Sequence, residues 1–102
     1  MTVAEVKTDS GIQLDVEGKV DSNSYVQFQE QILKSFQKTN NVVVNLEKTA
    51  YISSAGLRAL FLGHKTAMSK GGSMKIINVN DQIMDVFRVT GFDKTLDIRK
   101  AG

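Results

Sequence analysis

The stretch Val42-Val43-Val44-Asn45-Leu46-Glu47, followed a few residues on by Tyr51-Ile52-Ser53-Ser54-Ala55-Gly56-Leu57-Arg58, decides how the rest of the chain is read. A continuous apolar run reads as a strand buried on both faces, and the small, hydroxyl-rich segment after it leads into a helical apolar period. The spacing predicts a strand, a turn and a helix with Ser53 and Ser54 at its N-terminus. The first backbone N–H groups of a helix have no intrahelical partner, and the helix dipole favours negative charge there. A phosphate on a serine in that place is compatible with the fold.

On the N-terminal side, Ile12, Leu14 and Val16 alternate with Gln13, Asp15 and Glu17, which predicts a hairpin over Val3 to Glu17 with its turn at Thr8-Asp9-Ser10-Gly11. After Gly18-Lys19-Val20-Asp21 the period changes. Tyr25, Phe28, Ile32, Leu33 and Phe36 share one helical face, with Asp21 or Ser22 as the expected cap, and Lys38-Thr39-Asn40-Asn41 closes the helix. On the C-terminal side, the helix after Ser54 is expected to send Leu57, Leu60, Phe61, His64 and Met68 to the core and to stop at Lys70-Gly71-Gly72. Met74, Ile76, Ile77 and Val79 read as a strand. Asn80 or Asp81 then caps a third helix carrying Ile83, Val86, Phe87 and Met84, which ends near Thr90-Gly91. Phe92 to Ile98 is expected to hold a last short strand, and 99–102 a loose tail.

Strands alternating with helices imply βαβ crossovers, so the expected fold class is α/β: a mainly parallel sheet with the opening hairpin as an antiparallel edge, in one domain over 1–102. A chain of 102 residues that is 41% hydrophobic can bury one core without staples. It has no cysteine, which excludes a disulfide framework and thiolate metal sites, and its one histidine makes no zinc cluster. Thirteen basic and eleven acidic residues give a net charge of +2, too balanced to argue for nucleic acid or an anionic membrane. No apolar stretch approaches the roughly 20 residues of a membrane span, and the N-terminus lacks a signal-peptide core. The expectation is a soluble, cytoplasmic protein with no cofactor and no metal.

Gly18-Lys19-Val20-Asp21, the Val-rich strand ending in Asn45-Leu46-Glu47, the Ser53-Ser54-x-Gly56-Leu57 turn and Gly71-Gly72 before Met74 to Val79 occur in the order and spacing of STAS domains. Over nearly its whole length the chain resembles the bacterial anti-sigma factor antagonists of that family. The resemblance implies a four- to five-stranded sheet packed against three to four helices. It also implies a serine at the start of the second long helix, phosphorylated by an anti-sigma factor that is itself an ATP-binding serine kinase and dephosphorylated by a serine phosphatase. Carried over motif to motif, that serine is Ser54, with Ser53 as the alternative. The unphosphorylated antagonist would grip the kinase and free the sigma factor. Three positions depart from the family pattern: Ser53 stands where an acidic residue is usual, Ala55 replaces a frequent hydroxyl residue, and Arg58 replaces a small one, bringing a cation near any phosphate.

The resemblance places Asp21 and Asn45 close to the acceptor serine, whereas on position alone Asp21 is a helix cap and Asn45 satisfies loop backbone at a strand's carboxyl end. Serines at helix starts are ordinarily caps, and capping and phosphorylation use the same free N–H groups. His64 falls on the apolar stripe and is expected to be a hydrogen-bonded, mostly buried imidazole. Leu62 falls off the core face, beside Arg58, Lys65 and Ser69. With Ser53, Ser54, Ala55, Gly56, Leu57 and Arg58 it makes the expected partner surface.

An enzyme is not expected. A nucleophile elbow needs glycine two places before the serine, where Ile52 stands, and no phosphate-binding glycine loop occurs. The other reading of the same fold is an accessory STAS subunit of a transporter or a sensory scaffold, with structural serines.

Overall fold

In the computed structural model, which describes residues 1–101, the alternation of Ile12, Leu14 and Val16 becomes a strand with one face in the core. Strand β1 (Thr2–Lys7) and strand β2 (Ile12–Val20) pair antiparallel from Thr2↔Glu17 to Lys7↔Ile12. Their turn is closed by Thr8 N–H donating to the Gly11 carbonyl at 2.8 Å and Gly11 N–H donating to Thr8 Oγ1 at 3.1 Å. Helix α1 (Tyr25–Lys38), strand β3 (Asn41–Ile52), helix α2 (Ser54–Ser69), strand β4 (Ser73–Val79), helix α3 (Asp81–Thr90), a single 3-10 turn (Phe92–Lys94) and strand β5 (Asp97–Lys100) follow. The sheet order is β1-β2-β3-β4-β5, with β2 to β5 mutually parallel, so the expected α/β class with an antiparallel edge is met by a five-stranded sheet and three α-helices.

That sequential order decides where the helices go. Each crossover advances one strand in the same direction, and right-handed crossovers then put α1, α2 and α3 on one face of the sheet. Burial agrees: Leu14, Val16, Val42, Val44, Leu46, Met74 and Ile76 are buried, while Asp15, Val43, Asn45 and Ile77 are only half-buried. The valine run is thus buried on one face, not on both as its composition suggested, because three residues are too few to separate the two patterns. Phe28, Ile32 and Phe36 of α1 and Phe87 of α3 are at most 1% exposed, each burial contributing about 1.5–3 kcal/mol.

Several elements differ from their sequence reading. β3 does not stop at Leu46. Its polar continuation pairs with β2 as far as Val20↔Ile52, across two register shifts, between Asp15 and Glu17 and between Gly18 and Lys19, and buried Thr49 donates its hydroxyl to the Val16 carbonyl at 2.9 Å. The α1 cap position is Ser24 rather than Asp21 or Ser22. α2 is rotated from its expected phase. Gly56, Leu57, Ala59, Leu60, Gly63 and Ala67 face the core, while Met68 is 54% exposed. Small residues let α2 lie close to α1 and the sheet; a Cβ on Gly63 would fall 2.8 Å from Ile32 Cγ2. Phe61 and His64 are displaced to the flank, where the Phe61 ring stacks on Phe92 at 5.6 Å and on His64 at 6.4 Å. His64 is therefore half-buried in an aromatic stack and not a core imidazole.

In α3, capped by Asn80 Oδ1 accepting from Ile83 N–H at 2.9 Å, Met84 is buried and Val86 is exposed. Gly91 ends that helix in the left-handed region at φ 79°, where a side chain is disfavoured. The segment 92–98 is a 3-10 turn and the start of β5, and the expected tail from Arg99 belongs largely to that strand, Ala101 N–H donating to the Val79 carbonyl at 2.9 Å. The expected last strand is present but begins only at Asp97; Asp97, Arg99 and Lys100 leave Ile98 as its one apolar residue, so the apolar pattern could not set its bounds. Gly102, the end of the expected tail, lies outside the described residues. No helix among the described residues is long and apolar enough to cross a membrane.

Candidate functional site at the start of helix α2

The parallel ladder between β2 and β3 carries past its last pair into the serine turn. Ser53 N–H donates to the Val20 carbonyl at 2.7 Å, so the turn is pinned to the carboxyl end of β2. Ser53 is extended (φ −81°, ψ 172°) and is the N-cap of α2; its hydroxyl oxygen accepts from Gly56 N–H at 3.2 Å and its carbonyl accepts from Leu57 N–H at 3.0 Å. Ser54 is the first helical residue and is exposed. The two serines are thus unlike. One hydroxyl is committed to the cap, and the other faces solvent beside the free N–H groups of the first turn.

Gly56 explains how the turn lies so low. It is buried, and a Cβ built there would stand 2.9 Å from both Ile52 Cγ2 and Val20 Cγ1. Leu57 is 3% exposed and anchors the same turn in the core. Both residues were expected in the partner surface. Their burial makes them the seat of the turn instead, while Ala55 is half-buried and Arg58 and Leu62 are exposed. Residues four apart lie on one helical face, so Ser54, Arg58 and Leu62 form a continuous outward row.

Asp21 follows Val20 and so lies at the same end of the sheet. It caps no helix. Its Oδ1 accepts from Asn23 N–H at 2.9 Å and from the Ser24 hydroxyl at 3.2 Å, an Asx turn that feeds the chain into α1. The Asn23 N–H, helped by Ser24, holds the Asp21 carboxyl below the usual carboxylate range, so it is ionised at neutral pH. Asn45 is not at the site. It lies in the middle of β3, about 25 Å of strand before Ser53, on the helix-free face. There its amide donates to Asp15 Oδ1 at 2.9 Å and its Oδ1 accepts from Asn78 and from Glu47 N–H. The sequence reading ended the strand too early and so misplaced this residue.

Ser24 was missed by that reading. Its hydroxyl accepts from Asp21 N–H at 3.0 Å, and its one proton is shared between the Lys19 carbonyl at 2.9 Å and Asp21 Oδ1 at 3.2 Å, tying the β2–α1 loop together. The hydroxyl and amide run Ser22-Asn23-Ser24 was the available signal. Tyr51, 49% exposed opposite Lys19, was also missed because β3 had been ended before it. His64 stands ten residues along α2 from Ser54, about 15 Å of helical rise, too far to take a proton from either serine.

A helix-on-one-face α/β domain that presents a serine turn at the carboxyl ends of β2 and β3 is the class this geometry defines. The STAS domain family model matches residues 3–101, and the chain belongs to that family. The chain is similar to the anti-sigma-B factor antagonist of Bacillus subtilis, 24% identical over 90% of this chain and 84% of the relative. Among solved structures, an anti-sigma factor antagonist from Mycobacterium paratuberculosis superposes with a TM-score of 0.85 at 18% identity, over 96% of this chain and 84% of that one. The phosphorylated form of SpoIIAA, a Bacillus cell fate determinant, superposes with a TM-score of 0.74 at 16% identity, over 95% and 90% of the two chains. These structures share the fold.

Proposed function

We propose that this chain is an anti-sigma factor antagonist that works as a phospho-switch in the cytoplasm. In its unphosphorylated form the row Ser54, Arg58 and Leu62 binds an anti-sigma factor that is also a serine kinase, and the sigma factor is freed. The kinase, with its own bound ATP, transfers phosphate to Ser54, and a serine phosphatase removes it. The reading is supported by the names of the relatives and, above all, by one observation: the Ser54 hydroxyl is free at the first turn of α2 while that of Ser53 is engaged as the cap.

The mechanism is local electrostatics. A phosphoserine adds about −1.5 to −2 charges and three acceptor oxygens. The first-turn N–H groups can receive some of those oxygens without refolding the domain. An interface built over a neutral serine must instead desolvate a dianion, which costs several kcal/mol. About 4 kcal/mol separates nanomolar from micromolar affinity, so one phosphate releases the partner.

Incubation with ATP and the cognate anti-sigma kinase tests this. Phosphate is expected on Ser54 by fragment mass spectrometry; Ser54→Ala should abolish labelling yet keep partner binding, and Ser53→Ala should only slow the reaction. Phosphate mainly on Ser53 would overturn the assignment, and none on α2 would favour the accessory-subunit reading.

Leu62 offers a separate check on the docking row. It is 36% exposed, so truncation to alanine should change stability by less than about 0.5 kcal/mol, whereas loss of an apolar contact in a desolvated interface costs about 1–2 kcal/mol. Leu62→Ala should keep its melting temperature and lose partner affinity. Normal affinity in titration calorimetry would remove Leu62 from the interface.

A further inference from the structure

Arg58 stands one helical turn after Ser54 on the exposed face of α2. Four residues are about 6 Å of rise, so the two side chains are neighbours. The ion pairs among the described residues are Lys38–Glu5, Arg88–Asp85, Arg99–Asp97 and Lys100–Asp81; Arg58 enters none of them. α2 also lacks an acidic residue in its first turn, whereas α3 has Asp81 there. An unpaired guanidinium and an uncompensated helix dipole therefore share the face on which Ser54 is exposed.

We propose that Arg58 is the internal counter-ion of a phosphate on Ser54, clamping it within the same chain. The inference rests on the reading of Ser54 as the phospho-acceptor and deepens it by naming what holds the modified state. A guanidinium presents a planar fork of N–H donors that matches two phosphate oxygens, while the first-turn backbone N–H groups face the others. The other charged groups at this end of the sheet are Lys19 on β2 and Asp21 after it, the N-terminal amine beside Gly18, and Asp81 at the start of α3, which is paired with Lys100 at the end of β5; the phenol of Tyr51 stands opposite Lys19. Asp21 is ionised and disfavours a dianion nearby; Arg58 offsets it. Two consequences follow from the clamp. The phosphate stays dianionic in mildly acidic conditions, where a bare phosphoserine begins to take up a proton, and a phosphatase must break the clamp before it can act.

The test does not depend on the kinase. Protein carrying phosphoserine installed at position 54 during translation is titrated by phosphorus NMR, beside the same protein with Arg58→Gln and with Arg58→Lys. The second phosphate pKa should lie below the value of about 6 for an exposed phosphoserine. Arg58→Gln should raise it by about half a unit or more, with Arg58→Lys in between. A non-specific phosphatase should release phosphate several-fold faster from the Arg58→Gln protein. The unphosphorylated Arg58→Gln and parent proteins should melt alike, which separates the clamp from a general structural effect. Identical titrations and equal release rates with and without the guanidinium would overturn the clamp. Failure of the Ser54 reading looks different: the kinase would leave Ser54 unmodified while the titration shift in the installed phosphoprotein persisted.

Discussion

Under the proposed switch, phosphorylation of Ser54 should weaken the complex with the anti-sigma kinase by several kcal/mol, and Ser54→Asp should weaken it by about 1–3 kcal/mol. The order follows from charge and from hydrogen bonding. A carboxylate brings one charge and two oxygens, whereas the phosphoryl group brings nearly two charges and three oxygens, so the cost of covering it with a partner is larger. Neither change should unfold the domain, because Ser54 is exposed and the cap that holds α2 belongs to Ser53. Calorimetry on the parent, the Asp variant and the phosphoprotein gives the comparison directly. Equal affinities for all three would show that charge at this position does not control release.

The fold was legible where apolar periodicity coincided with single-sided burial. β2, α1 and α3 were found because Ile12, Leu14 and Val16, then Phe28, Ile32 and Phe36, then Ile83 and Phe87 are large side chains whose spacing matches the face they bury. α2 misled for the opposite reason. Its core face is built largely from Gly56, Ala59, Gly63 and Ala67, and a pattern weighted by bulk selects Phe61 and Met68 on the flank. β3 was cut short because Glu47, Lys48 and Thr49 look like loop, although pairing with β2 and the Thr49 hydroxyl bond keep that segment in the ladder. Propensity was overridden there by tertiary pairing.

Within the serine turn, local spacing was enough to place the exposed side chains. The serine turn is short in sequence, so Ser53, Ser54, Arg58 and Leu62 fall where helical spacing put them. Contacts between distant segments were out of reach. The bond from Ser53 N–H to the Val20 carbonyl depends on the β2–β3 register, and the position of Asn45 depends on where β3 ends. Asp21 lies at the same end of the sheet as the serine turn, as the acceptor of an Asx turn. Its neighbours in sequence carry that role, and a cap assignment by residue type alone cannot separate the two.

Gly56→Val should damage the turn by overpacking, lowering stability by about 2–3 kcal/mol, which for a domain of this size is roughly 10–20 °C in melting temperature. The first added carbon already meets Ile52 Cγ2 and Val20 Cγ1 at 2.9 Å. Both neighbours are β-branched, with restricted side-chain rotamers, and they are 3% and 0% exposed in a close-packed core, which leaves them little room to move. Gly56→Ala should be milder, because an alanine in a helix recovers up to about 1 kcal/mol of backbone propensity against the same clash. The damage should reach function as well. Relief of the overlap requires the first turn of α2 to lift from the ends of β2 and β3, and the Ser53 bond to Val20 and the placement of Ser54 go with it. The valine variant should therefore be labelled by the anti-sigma kinase more slowly even at temperatures where it remains folded. Thermal melts and labelling rates on the two variants decide the point, and a valine variant that melts within about 2 °C of the parent would mean that α2 does not rest on the strand ends as closely as this geometry requires.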